Sequence, residues 1–74
     1  MIQYTYTIQN PNTGFLIVAE DADTITDLFN YEFYRKVGLK EFISKRRIYD
    51  IYLKRVKIPK YLEDYEFIRV RKDL

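Results

Sequence analysis

Residues 2–9, IQYTYTIQ, alternate between apolar and polar at every step. Ile2, Tyr4, Tyr6 and Ile8 fall on one side, and Gln3, Thr5, Thr7 and Gln9 on the other. That is the period of a half-buried strand rich in β-branched and aromatic residues. NPNTG follows as a turn, where Asn and Gly tolerate left-handed φ and Pro fixes its own. FLIVAE, residues 15–20, is apolar on both faces and reads as a second strand, more interior than the first, completing a β-hairpin. The period then changes. Thr24-x-x-Asp27 has capping-box spacing, with Asp23 or Thr24 as the cap. Ile25, Leu28, Phe29, Phe33 and Val37 form one helical stripe. Acids crowd the first turn, Arg35 and Lys36 occupy the last, and Gly38 ends the helix. On this reading Leu28 and Phe29 belong to the core.

LKEFISKRR, residues 39–47, is predicted as a short second helix with Leu39, Phe42 and Ile43 inward. RIYDIYLKRVKI, residues 47–58, is β-branched and aromatic. Tyr49, Ile51 and Leu53 share one face and Ile48, Tyr52 and Val56 the other. It is predicted as a strand, with continuation of the helix as the alternative. Pro59 stops it, KYLEDY makes a turn or a single helical turn, and YEFIRVRK, residues 65–72, is the last strand. There Ile68 and Val70 face opposite Phe67, Arg69 and Arg71. The order ββααββ predicts one α+β domain over residues 1–74, a small antiparallel sheet of about four strands with one or two helices packed on one face.

Composition sharpens this in three ways. With 74 residues the chain is near the size at which one core is only marginally stabilising. Eight Tyr and five Phe must therefore supply much of the buried area, and a homodimer would add burial that one subunit lacks. Cysteine is absent, so disulfide scaffolds and thiolate metal sites are excluded. No apolar run approaches a membrane span and the N-terminus does not resemble a signal peptide, so a cytoplasmic location is expected, without membrane contact.

The chemistry of catalysis is thin. Without His or Cys, and with Ser44 as the single Ser, neither a Ser–His pair nor a thiolate nucleophile can be assembled. Glu20, Asp21 and Asp23 lack the spacing and glycine of a calcium loop, and acids before a helix ordinarily cap and solvate it. No enzyme activity, cofactor or metal is expected.

Two features point to binding instead. Net charge +2 conceals a division. Residues 1–34 hold five acids and no Lys or Arg, whereas residues 35–74 hold all 13 basic residues against six acids, a net +7. Such polarity steers a charged partner or orients two subunits, unless the halves interleave in space and blur it. Lys45, Arg46, Arg47, Lys54, Arg55 and Lys57, interleaved with Tyr49, Tyr52, Tyr61 and Tyr65, would form a nucleic-acid face if the strands carrying them pair. This reading is the weaker one, because acids dilute the patch and basic strand faces also guard sheet edges.

The second feature is Asp27-Leu28-Phe29. It resembles the last three positions of the pentapeptide, commonly Gln-Leu-Ser/Asp-Leu-Phe, by which bacterial polymerases and repair proteins dock on the DNA sliding clamp. Here Ile25 stands for the Gln and Thr26 for the first Leu, so only the last three positions match. In size and in its Tyr-, Ile- and Lys-rich style the whole chain is similar to the small Twort-type clamp inhibitors of staphylococcal bacteriophages. That resemblance implies a non-enzymatic phage protein of host takeover in the host bacterial cytoplasm. Its partner would be the beta subunit of DNA polymerase III, the sliding clamp. The protein would occupy the partner-docking pocket, obstruct the DNA channel and stop host DNA replication. Asp27, Leu28 and Phe29 would carry the contact with Ile25. Tyr31 and Tyr34, or the Tyr61-Leu62 turn, are the alternative docking residues if Leu28 and Phe29 are kept for the core.

Overall fold

In the computed structural model, residues 3–37 and 43–72 are described, the side chains of 34–37 excepted. Among these residues, three strands and two helices form a small α+β domain: β1 (Gln3–Asn10), β2 (Phe15–Ala19), α1 (Ala22–Val37), α2 (Lys45–Tyr52) and β3 (Glu66–Lys72), with a 3₁₀ turn at Lys60–Leu62 before β3. The sheet is antiparallel in the order β2-β1-β3. The alternating strand is therefore the central one. The apolar β2 is an edge strand with Leu16 and Val18 turned to solvent, which corrects the expectation that it lies deeper.

The inner face of the sheet carries Tyr6 and Ile8 from β1, Phe15 and Ala19 from β2, and the half-buried Phe67 from β3. Alternation in β1 places its odd-numbered polar residues on the opposite, outer face. The hairpin closes through Gly14 at φ +78°, whose N–H donates to the Asn10 carbonyl at 2.9 Å. Both helices lie on the inner face. α1 packs on β2 and β1, and α2 on β3 and α1.

The cap of α1 lies two to three residues before the expected one. The Asp21 carboxylate accepts from the Thr24 N–H at 2.7 Å and from the Thr24 hydroxyl at 3.0 Å, so Asp21 caps the helix instead of Asp23 or Thr24. The Thr24 N–H holds the Asp21 carboxyl below its ordinary pKa. A depressed folded-state pKa stabilises above the unfolded value, about 3.9, and that contribution is lost as pH falls through the folded value. Asp21→Ala should accordingly lower the melting temperature at neutral pH. The gap to the unchanged protein should narrow as the medium is acidified below the usual Asp range, read by thermal denaturation across pH.

The segment 47–58 departs from its predicted strand. Helix α2 covers Lys45–Tyr52, the course held as the alternative. Ser44 decides it: its backbone is extended (φ −69°, ψ 151°) and its hydroxyl accepts the Arg47 N–H at 3.2 Å, an N-cap. Ile48, Ile51 and Tyr52 then fall at helical spacing and are buried, which a period-2 reading splits between faces. Of the predicted helix over 39–47, residues 39–42 lie outside those described. Ile43 and Ser44 are not helical, so the fourth strand and the ββααββ order give way to ββααβ.

Beyond Leu53 the chain turns through a Schellman motif. The Lys54 N–H reaches the Ile51 carbonyl and the Arg55 N–H the Asp50 carbonyl, at 3.1 and 2.9 Å. Lys54 occupies the left-handed position at φ +59°. An L side chain there costs about 1–2 kcal/mol, against about 0.5–1 kcal/mol of extra unfolded-chain freedom for Gly. Lys54→Gly should stabilise by roughly 0.5–1 kcal/mol, a rise of several degrees in a thermal melt.

Candidate functional site

The helical period of α1 decides which of the expected docking residues reach a partner. Ile25, Phe29 and Phe33 recur at intervals of four and face the sheet. Ile25 and Phe29 have no exposed surface. The Phe29 ring lies 6.0 Å from Phe15, 5.0 Å from Phe33, 5.7 Å from Tyr65 and 6.1 Å from Phe67, centre to centre. Phe29 is thus the hub of the aromatic core, and as an extended plug Asp27-Leu28-Phe29 does not exist in this conformation. Leu28 is turned 100° from Phe29 and is 37% exposed, which removes it from the expected core stripe. Asp27 is exposed and Tyr31, 60% exposed, lies one turn on from both. Thr26 is buried, its hydroxyl donating to the Ala22 carbonyl at 2.8 Å. The side chain of Tyr34 lies outside those described.

Asp27, Leu28 and Tyr31 therefore share the solvent side of α1 with Asp23 and Thr24. Asp23 holds Lys45 at 2.7 Å, an exposed pair that ties the first turns of α1 and α2. Its hydrogen bond and charge raise the Lys45 pKa. A shallow hollow of about 320 Å³ opens beside this pair, between Ala22, Arg46 and Tyr49.

What the sequence did not disclose is how α1 holds the chain entering α2. The Asn30 side-chain amide donates to the Ile43 carbonyl at 2.9 Å, and its oxygen accepts the Ile43 N–H at 2.8 Å. One side chain thereby serves as a strand partner for one residue. Asn on the flank of an apolar stripe is the only local signal, and it became readable once Ile43 was placed. Tyr52 similarly crosses the core to donate its hydroxyl to the Thr7 carbonyl at 2.9 Å, and burial pushes its pKa up.

The basic candidates are brought together less than a pair of strands would have done. Lys45, Arg46 and Arg47 form the first turn of α2, while Lys54, Arg55 and Lys57 follow its far end, about 12 Å away along an eight-residue helix. Lys45 is paired with Asp23, and Arg55 lies 3.7 Å from Asp50. Among the interleaved rings, Tyr52 is buried and edge-on to Tyr6 at 5.1 Å, leaving no stacking face, whereas Tyr49 and Tyr61 are exposed. The acidic and basic halves do touch, through Lys45–Asp23 and Lys72–Glu20.

No described helix is long and apolar enough to cross a membrane. No three His, Cys, Asp or Glu residues are placed to share a metal ion among the described residues. Comparison with family models, curated proteins and solved structures finds no match.

Proposed function

We propose that this chain is a non-enzymatic phage inhibitor whose target is the bacterial DNA polymerase III sliding clamp, acting by steric obstruction as a homodimer in the host cytoplasm. The observation that carries the reading is the division of labour on α1. Ile25, Phe29 and Phe33 are spent on the core, while Asp27, Leu28 and Tyr31 stand exposed together on the helix surface. Leu28 and Tyr31 are the apolar groups offered to the docking pocket. Asp27 and its acidic neighbours suit a ring whose inner wall is positive because it surrounds DNA.

The energetics favour a bivalent inhibitor. Burying an exposed side chain of this size contributes roughly 1.5–3 kcal/mol. Without Phe29, one helix face falls short of the about −8 kcal/mol of micromolar binding. A two-fold ring presents two equivalent pockets, and a two-fold inhibitor gains on the order of 10²–10⁴ in apparent affinity by engaging both.

A fluorescently labelled docking peptide bound to a purified low-GC bacterial clamp provides the test. Sub-micromolar displacement by this protein is expected, with loss of displacement in Leu28→Ala/Tyr31→Ala. Clamp binding without displacement would remove the pocket and leave only the channel.

A further inference from the structure

We infer that the open edge of β2 is a strand-addition site for an extended, cationic segment of a partner protein. β2 is one border of the sheet, so along its outer rim alternate backbone N–H and C=O groups face no strand among the described residues. The two borders differ in kind. β3 reads EFIRVRK and is studded with Arg69, Arg71 and Lys72, the ordinary guard against edge pairing. β2 reads FLIVA, without a charge or a Pro, and every residue in it is compatible with a ladder.

Apolar side chains flank this rim on both faces. Below it, Leu16 is 60% and Val18 52% exposed on the outer face. Above it runs α1. Thr26 and Asn30 mark the side of α1 turned to the second helix, since Asn30 bonds Ile43 just ahead of α2. At 100° per residue, Leu28 and Glu32 fall on the opposite flank of α1, away from α2, and α1 itself packs on β2 and β1. An added strand would thus lie between Leu28 above and Leu16 and Val18 below, taking main-chain hydrogen bonds from β2 and apolar contacts from both sides.

Charge selects the occupant. Residues 1–34, which carry β1, β2, the turn after it and most of α1, hold five acids and no Lys or Arg. Two of those acids, Glu20 and Asp23, are met by Lys72 and Lys45, which leaves the surroundings negative. A second copy of this chain, paired through its own β2, would bring the acids of residues 1–34 toward their own counterparts. A foreign strand alternating Val or Thr with Lys or Arg meets complementary charge. The inference does not rest on the clamp reading and holds for any target offering such a strand.

The test uses the full-length isotope-labelled protein at low salt. A blocked peptide alternating Val and Lys is titrated in, followed by amide shifts and hydrogen exchange. Saturable binding that slows exchange across 15–19 and weakens with salt is expected. The peptide with Glu for Lys, and the exposed-site variant Leu16→Lys/Val18→Lys with the Lys peptide, should each bind at least about tenfold more weakly. Thermal melts check that the variant stays folded. Equal binding of both peptides, protection at β3 in place of β2, or β2 amides already protected by self-association in the free protein would each overturn the proposal.

Discussion

Phe29→Ala is expected to leave the protein largely unfolded at physiological temperature, whereas Leu28→Ala, one residue away, should leave it folded. Phe29 has no exposed surface and its ring contacts Phe15, Phe33, Tyr65 and Phe67, so truncation opens a cavity at the meeting point of both outer strands with α1. Large-to-small changes of that kind cost about 3–5 kcal/mol. A 74-residue domain has about 4–11 kcal/mol in all, with small domains toward the lower end. Leu28 already exposes more than a third of its surface, so its truncation should cost under about 1 kcal/mol. Denaturant titrations followed by circular dichroism read both. A Phe29→Ala protein as stable as Leu28→Ala would mean that Phe29 is not in the core. The contrast also governs any functional assay: lost activity in Phe29→Ala reports unfolding, whereas lost activity in Leu28→Ala reports contact.

The second large effect falls on a polar residue. Asn30→Ala removes both hydrogen bonds to Ile43 and leaves that residue's N–H and C=O without their partner. Since Ile43 is buried, the expected loss is about 2–4 kcal/mol. Asn30→Asp separates the two bonds. Ionised, it keeps the acceptor for the Ile43 N–H but turns an oxygen toward the Ile43 carbonyl. Protonated, it regains a donor. The folded protein thus favours the protonated acid, which raises its pKa above the unfolded value near about 3.9. The variant's deficit relative to the unchanged protein should be smallest below that pH and grow as pH rises through the folded value. Urea titrations at two pH values would show it, and a pH-independent deficit would contradict the paired geometry.

These two residues also mark what was legible in the sequence. The strict alternation of residues 2–9 specified β1 and its buried face, because one buried side and one wet side is what a period of two means. The helical stripe containing Ile25, Phe29 and Phe33 was equally readable. The strand order was not: an apolar FLIVA suits a central strand as well as an edge, and only pairing with β3 makes β1 central. Residues 47–52 misled because Ile and Tyr favour strands, while the stronger signals were local. Ser44 supplied an N-cap, and Ile48, Ile51 and Tyr52 a helical face. For the candidate site, the motif resemblance named a stretch but carried no information on its orientation. A helix separates neighbours by 100°, so Leu28 and Phe29 cannot both face a partner. Asn30 carries no signature beyond its place on the flank of an apolar stripe, since its partner lies thirteen residues on and in no repeating register.

Direct titration of a purified low-GC bacterial sliding clamp with the full-length protein, beside the folded variant Leu28→Ala/Tyr31→Ala, tests the proposed function most directly. Saturable binding by the unchanged protein, weakened at least about tenfold in the variant, is the predicted result. A clamp that ignores the protein at concentrations on the order of tens of micromolar, or that binds both proteins equally, would contradict it.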